Sequence, residues 1–84
     1  MQRDEIERKI NEFLVSDFEV DKNNLSPYSR LREDLGLDSL DFVDIVVVVK
    51  RVFGFVCAPE EMKSVITLGN LYDYIEGKLN GQKV

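Results

Sequence analysis

Three stretches of the chain repeat apolar residues at helical spacing. In residues 4–15, Ile6, Ile10, Phe13 and Leu14 fall at i, i+4, i+7 and i+8, while Glu5, Glu7, Arg8, Lys9 and Glu12 fill the other side. This predicts an amphipathic helix with one apolar stripe and a solvated charged face. The second stretch, residues 39–53, contains neither glycine nor proline. Its β-branched run Ile45–Val49 would suit a buried strand, but the length exceeds that of a typical strand and predicts a helix. Ile45, Val49 and Phe53 form an inward stripe; Leu40, Val43 and Val47 form a second one beside Asp41 and Asp44. A small domain cannot easily bury both, so one stripe is expected to stay exposed as an acid-ringed interaction surface. In the third stretch, Leu68, Leu71, Tyr72, Ile75 and Leu79 keep helical spacing behind a capping Thr67. Gly69 and Gly77 each weaken that helix by about 1 kcal/mol relative to alanine, so fraying is expected from Gly77 onward.

The connections carry their own signals. From Ser16 to Asp38 the periodicity fades, 21–24 and 26–29 are turn-rich, and Pro27 cannot sit inside a helix. A structureless loop of about twenty residues in so small a domain has to be tied down or functional. Val20, Leu25, Tyr28, Leu31 and Leu35 are the residues expected to pin it, with one helical turn at 31–35. The Asp21-Lys22-Asn23-Asn24 cluster is similar to the start of a calcium loop. Leu25 stands where the next oxygen ligand belongs, and no loop glycine or terminal glutamate follows, which excludes calcium. Gly54 ends the second long helix, and Pro59-Glu60-Glu61-Met62 opens a short one reaching to near Val65. The predicted fold is all-α: a small up-and-down-like bundle of three main helices plus one short helix, with a long loop between helices 1 and 2. One domain is expected over 1–79, followed by a polar tail at 80–84.

Composition narrows the function. The chain has 84 residues, 44% of them hydrophobic, enough for one core and too few for two domains. A net charge of −5 disfavours nucleic acid and membrane surfaces and favours basic protein partners. Cys57 is the only cysteine, so an internal disulfide is excluded and a reducing compartment, the cytoplasm, is expected. Between Phe55, Val56 and Ala58 it reads as a small buried hydrophobe. No secretory h-region opens the chain, and its longest apolar run falls far short of the ~20 residues that a membrane helix needs. Histidine is absent, which removes Ser-His-Asp and Cys-His catalysis and histidine-ligated zinc. A chain so equipped is expected not to be an enzyme, and to hold no metal.

The candidate chemistry lies in Leu35-Gly36-Leu37-Asp38-Ser39-Leu40. A glycine breaks the chain, an aspartate and a serine follow, and the second long helix begins at once, so a turn delivers Ser39 to its first turn. Ser39 is then either a helix cap or a hydroxyl presented for chemistry. Glu33, Asp34, Asp38, Asp41 and Asp44 surround it, with no base between Glu33 and Val49. Carboxylates act as acid and base mainly in clefts that split their pKa values, and a short turn offers no evident cleft. Ser39 has no partner in the chain to take its proton. If its hydroxyl reacts, another protein supplies the active site.

Glu33-Asp34-Leu35-Gly36, then Asp38-Ser39-Leu40-Asp41, resembles the attachment motif of acyl carrier proteins, and the helix order resembles that family over nearly the whole chain. The resemblance implies that Ser39 Oγ receives 4′-phosphopantetheine from coenzyme A through a phosphopantetheinyl transferase, whose magnesium is not bound by a site of this chain. It implies cofactor attachment at Ser39, flanked by Asp38 and Leu40, and a role in shuttling acyl thioesters. It implies that Asp38, Leu40, Asp41, Val43, Asp44 and Val47 dock on basic, partly apolar patches of acyl-loading and acyl-processing enzymes, the carrier acting as a monomer. Leu31, Ile45, Val49, Phe53, Met62 and Tyr72 are candidate walls of an acyl pocket, though plain core packing fits them equally. Lys50-Arg51 interrupt the acidic surface usual in fatty-acid carriers, and Phe55-Val56-Cys57-Ala58-Pro59 is more apolar than usual with its proline displaced by one. A dedicated acyl or polyketide-like pathway and general fatty-acid synthesis therefore both stay open. A peptidyl or aminoacyl carrier, and an acidic interaction module without the prosthetic group, are the alternatives.

Overall fold

The first apolar stripe forms α1 (Arg3–Phe18) in the computed structural model, which describes residues 1–80 of the chain. The helix outlasts its predicted end because Phe18 still packs edge-on to Phe13, with ring centroids 6.2 Å apart. It closes at Glu19, whose φ of 58° lies in the left-handed region, and the Val20 amide returns to the Leu14 carbonyl at 3.0 Å. Glycine usually fills that position. With glutamate there, the sequence carried no stop signal.

The long loop is laced down by backbone hydrogen bonds. Leu31 N–H donates to Ile66 O, Leu68 N–H to Ser29 O, and Gly69 N–H to Pro27 O, each at 2.9 Å. An isolated antiparallel bridge, Arg30 with Thr67, marks the same seam. Asp21 accepts from Asn23 N–H at 2.9 Å and starts a 3₁₀ turn at Lys22–Asn24, so the Asp/Asn cluster serves a turn. Val20 and Leu31 are buried, and Leu25 and Leu35 pack half-buried against the core. Tyr28 differs from its expected role as a pin: it is 87% exposed. The Ser26–Ser29 turn, held by Ser29 N–H to Ser26 O at 3.0 Å, points it outward. Leu37, at 3% exposure, supplies a further anchor.

Residues 31–35 form turns rather than a named helix, with the Asp34 and Leu35 amides both donating to Arg30 O. Gly36, at φ 74°, reverses the chain there, and Leu37 N–H closes the turn on Leu31 O at 3.0 Å. Helix α2 (Ser39–Phe53) follows with the predicted bounds. Helix α3 is confined to Pro59–Met62, shorter than expected; Ser64 and Val65 continue it only as turns. Helix α4 (Leu68–Leu79) carries Thr67 as its cap, Thr67 Oγ1 accepting from Asn70 N–H at 3.1 Å. The helix runs through Gly77 to Leu79. Of the tail expected at 80–84, only Asn80 is described; the rest lies outside the described residues.

The four helices enclose one core, in which Ile6, Ile10 and Leu14 of α1 meet Ile45 and Val49 of α2 and Leu68, Leu71 and Ile75 of α4. Burying such side chains is the main favourable contribution to a fold of this size. Cys57 is 1% exposed and burial pushes its thiol up, as a small buried hydrophobe requires. Arg3 fastens α1 to α4, with Glu7 and Glu76 at 2.7 Å and Asp73 at 2.9 Å, over the face of Tyr72.

Candidate functional site

Asp38 is the residue that caps α2. Its Oδ1 accepts from Asp41 N–H, and Asp41 Oδ2 accepts from Asp38 N–H, both at 3.1 Å. This reciprocal box satisfies two amides that a helix start leaves unpaired, and it sets carboxylates where the helix dipole favours them. Ser39 is therefore the first helical residue and holds no capping bond. Its side chain is exposed, and among the described residues its Oγ makes no side-chain hydrogen bond. The capping read as one role for Ser39 thus falls to Asp38, and the Ser39 hydroxyl is left exposed.

The remaining acids divide by role. Asp34 accepts from Arg30 N–H at 2.7 Å, and these bonds from Arg30 hold its carboxyl below the usual range. Asp44 lies exposed on α2 among Leu40, Val43 and Val47, whose side chains are 75%, 62% and 60% exposed. Half of the predicted pair of stripes is thus buried and half faces solvent, as the size of the domain requires. Further along α2 the basic end turns elsewhere: Arg51 pairs with Asp17 of α1 at 3.3 Å.

Beside Ser39 opens a cavity of about 620 Å³ between α2 and the 57–66 segment. Phe42, Val43, Val46, Val47, Cys57, Pro59, Met62, Val65 and Ile66 give it apolar walls, and Ser39, Arg32 and Lys63 border it too. Of the six residues suggested as acyl-pocket walls, Met62 borders this space. Leu31, Ile45, Val49 and Tyr72 are buried in the core, Phe53 packs half-buried against it, and none of the five borders this space. Phe42 and Val46 lie between the two stripes read from the sequence, and Val43 and Val47 of the exposed stripe border the cavity beside them.

One further residue shapes that wall. The Tyr74 hydroxyl of α4 accepts from Ala58 N–H at 3.1 Å and donates to Glu61 Oε1 at 2.8 Å. Lys78 Nζ reaches the same Glu61 oxygen at 2.9 Å. Burial and the bond to Glu61 push the Tyr74 phenol up to about 12, so it stays a donor throughout the physiological range. Sequence periodicity placed Tyr74 on no stripe, and only its aromatic amphipathic character hinted at a partner.

The residues present fit a serine-linked phosphate group: a free, exposed hydroxyl at a helix start, where anions are favoured, next to an apolar space. Among the described residues no cluster of histidine, cysteine, aspartate or glutamate is arranged to hold a metal, and no helix is long and apolar enough to cross a membrane.

Comparison with known proteins agrees with this geometry. The family described as "Phosphopantetheine attachment site" matches residues 8–75. The acyl carrier protein of Rubrobacter xylanophilus is 35% identical over 75 residues, covering 89% of this chain and 93% of that protein. That of Coprothermobacter proteolyticus is 34% identical over 79 residues, covering 94% and 96%. That of Thermotoga maritima is 34% identical over 77 residues, covering 92% and 95%. The free serine, its apolar flank and these matches along most of the chain place it in one family: it belongs to the phosphopantetheine-attachment domains of the acyl carrier protein type.

Proposed function

We propose that the chain carries acyl groups as thioesters on a 4′-phosphopantetheine arm joined to Ser39 Oγ, and delivers them to enzymes of fatty-acid, lipid or polyketide-type synthesis. The observation that carries this reading is the division of labour at the start of α2. Asp38 does the capping, and Ser39 is left exposed without a side-chain partner. When bound, the arm supplies the thiol that holds the cargo. The chain's own part is to present the hydroxyl, and it has no histidine to accept the serine proton. That base belongs to the phosphopantetheinyl transferase. The chain acts as a carrier, with catalysis left to its partners.

Asp38, Leu40, Asp41, Val43, Asp44 and Val47 form the docking surface, where exposed apolar side chains sit among acids. Such a surface suits basic, partly apolar patches and brief encounters steered by charge. The apolar cavity beside Ser39 shelters the acyl chain, with Phe42, Val46, Met62 and Val65 as its walls. A buried free thiol at Cys57 is compatible with work as a monomer in the reducing cytoplasm.

Incubation with coenzyme A, magnesium and a broad-specificity transferase is expected to raise the intact mass by one phosphopantetheine. Ser39→Ala is expected to block the addition while keeping the helical circular dichroism. An unchanged wild-type mass with several active transferases would overturn the proposal.

A further inference from the structure

The cavity's lining is apolar except for Ser39 and the two cations Arg32 and Lys63. Both basic side chains are exposed, and neither is in an ion pair among the described residues. Arg30, two residues from Arg32, shows the contrast: it is occupied by Asp34. The Arg32 guanidinium instead lies over the Phe42 ring, 5.0 Å from its centroid, and Phe42 is itself a cavity wall. Attraction to a ring face holds the guanidinium beside the cavity wall without using its N–H donors, which an anion can take. Lys63 approaches the same space from the end of α3. Ser39 therefore borders one cavity with a cation from each of two separate segments, the 31–35 turn and the end of α3.

We propose that Arg32 and Lys63 are positioning residues for the phosphodiester on Ser39, holding its negative charge at the cavity mouth and so directing the arm inward over the apolar walls. This rests on the attachment reading given above. The charge balance around Ser39 gives the pair a purpose. Asp38 and Asp41 place two carboxylates beside the attachment point, on a chain of net charge −5. A further anion there meets repulsion that the helix N-terminus only partly offsets. Two cations bordering the same cavity, unpaired among the described residues, supply the rest. They also favour one direction: an arm whose phosphate sits between Arg32 and Lys63 starts toward Phe42 and Val46 rather than toward solvent. Apart from Ser39, the two cations and the Cys57 thiol, the lining side chains are apolar, so the cations suit the phosphate and the rest suits an alkyl chain.

The test uses the full chain, first confirmed by intact mass as the phosphopantetheinylated form and then loaded with an octanoyl group. The Arg32 Nε–H and Lys63 Nζ resonances are followed from the unmodified to the modified protein, and hydrolysis of the octanoyl thioester in buffer is timed. Both resonances are expected to shift on modification, before any acyl group is added. Arg32→Gln and Lys63→Gln are each expected to speed hydrolysis about two- to fivefold, the range that an exposed charge pair supports. Lys50→Gln, which removes an exposed charge of α2 that does not border the cavity, is expected to leave the rate unchanged. Unmoved resonances together with wild-type hydrolysis in both Arg32→Gln and Lys63→Gln would overturn the inference while the mass gain left the attachment reading intact. A shift that appears only with a glutaryl group, whose free carboxylate is absent from octanoyl, would assign the cations to the cargo and also overturn it. Failure to gain mass at all would instead sink the attachment reading.

Discussion

At the scale of single residues, the site turns on which of two neighbours caps α2. The sequence showed that a turn delivers Asp38 and Ser39 to a helix start, because glycine, two short polar residues and an apolar run leave little else. It did not show which one caps, since aspartate and serine accept the same amide about equally well. The Asp41 side chain decides it by returning a bond to Asp38 N–H at 3.1 Å. The two substitutions should therefore separate cleanly. Asp38→Ala is expected to cost about 1 kcal/mol, the usual value for a lost cap, in denaturant unfolding. Ser39→Ala should stay within roughly 0.5 kcal/mol of wild type, as surface changes without a lost interaction do. Equal losses at both positions would contradict the assigned cap. The cavity walls were harder to read for a related reason. Periodicity identifies which side chains face inward, and Ile45 and Val49 do, but it cannot distinguish a filled interior from an open one. The space is lined by Phe42 and Val46, which lie on neither stripe, together with Val43 and Val47 of the exposed one.

At the scale of elements, the least regular parts carry the most information. The positions of α1, α2 and α4 were legible because each repeats apolar residues for three turns or more. The ends were less so: Glu19 stops α1 without a glycine, and α3 stops at Met62 because turns take over. Gly69 reads differently in space than along the chain. Treated as a helix-weakening residue, it is the one that admits the loop, since a Cβ there would lie 2.9 Å from the Pro27 carbonyl oxygen. The short α3 depends on a tether that periodicity could not reveal. Tyr74 accepts from Ala58 N–H and donates to Glu61, so one hydroxyl holds both the approach to the helix and its body. Tyr74→Phe should cost of order 1–2 kcal/mol from the lost bonds, and should speed hydrogen exchange over 58–65 more than in α1. The same tether has a pH dependence of defined sign. Lys78 first, and then the Tyr74 hydroxyl, hold the Glu61 carboxyl below its ordinary value of 4.5. A carboxyl lowered by folding stabilises the fold above its ordinary value and loses that contribution as pH falls through the folded one. Exchange protection of 58–65 is thus expected to weaken below about pH 4.5 in the wild type, and Glu61→Gln should remove that dependence.

At the scale of the whole molecule, charge and apolar exposure act on the same face. The chain carries a net charge of −5, and Asp38, Asp41 and Asp44 lie along the exposed stripe of Leu40, Val43 and Val47. The bases limit that field rather than extend it. Arg51 is paired with Asp17, and Arg32 and Lys63 stand at the cavity beside Ser39. A carrier that must both arrive and leave gains from attraction that acts over distance and from contacts that are individually small. Exposed charges separated by more than the Debye length, about 8–10 Å at physiological salt, are largely screened, so the steering contribution must fall as salt is added. Association of the modified carrier with a basic synthesis enzyme is therefore expected to slow with increasing ionic strength. Asp41→Lys, which reverses a charge next to Ser39, should slow it further at low salt and flatten the salt dependence. Because Asp41 also closes the capping box, Asp44→Lys is the companion change: Asp44 makes no capping bond, so a lower association rate there reports docking and not helix stability. Stopped-flow association rates that ignore both salt and Asp44→Lys would remove this face from the docking surface. They would leave the attachment at Ser39 untouched, since the hydroxyl's freedom follows from the cap and not from the field.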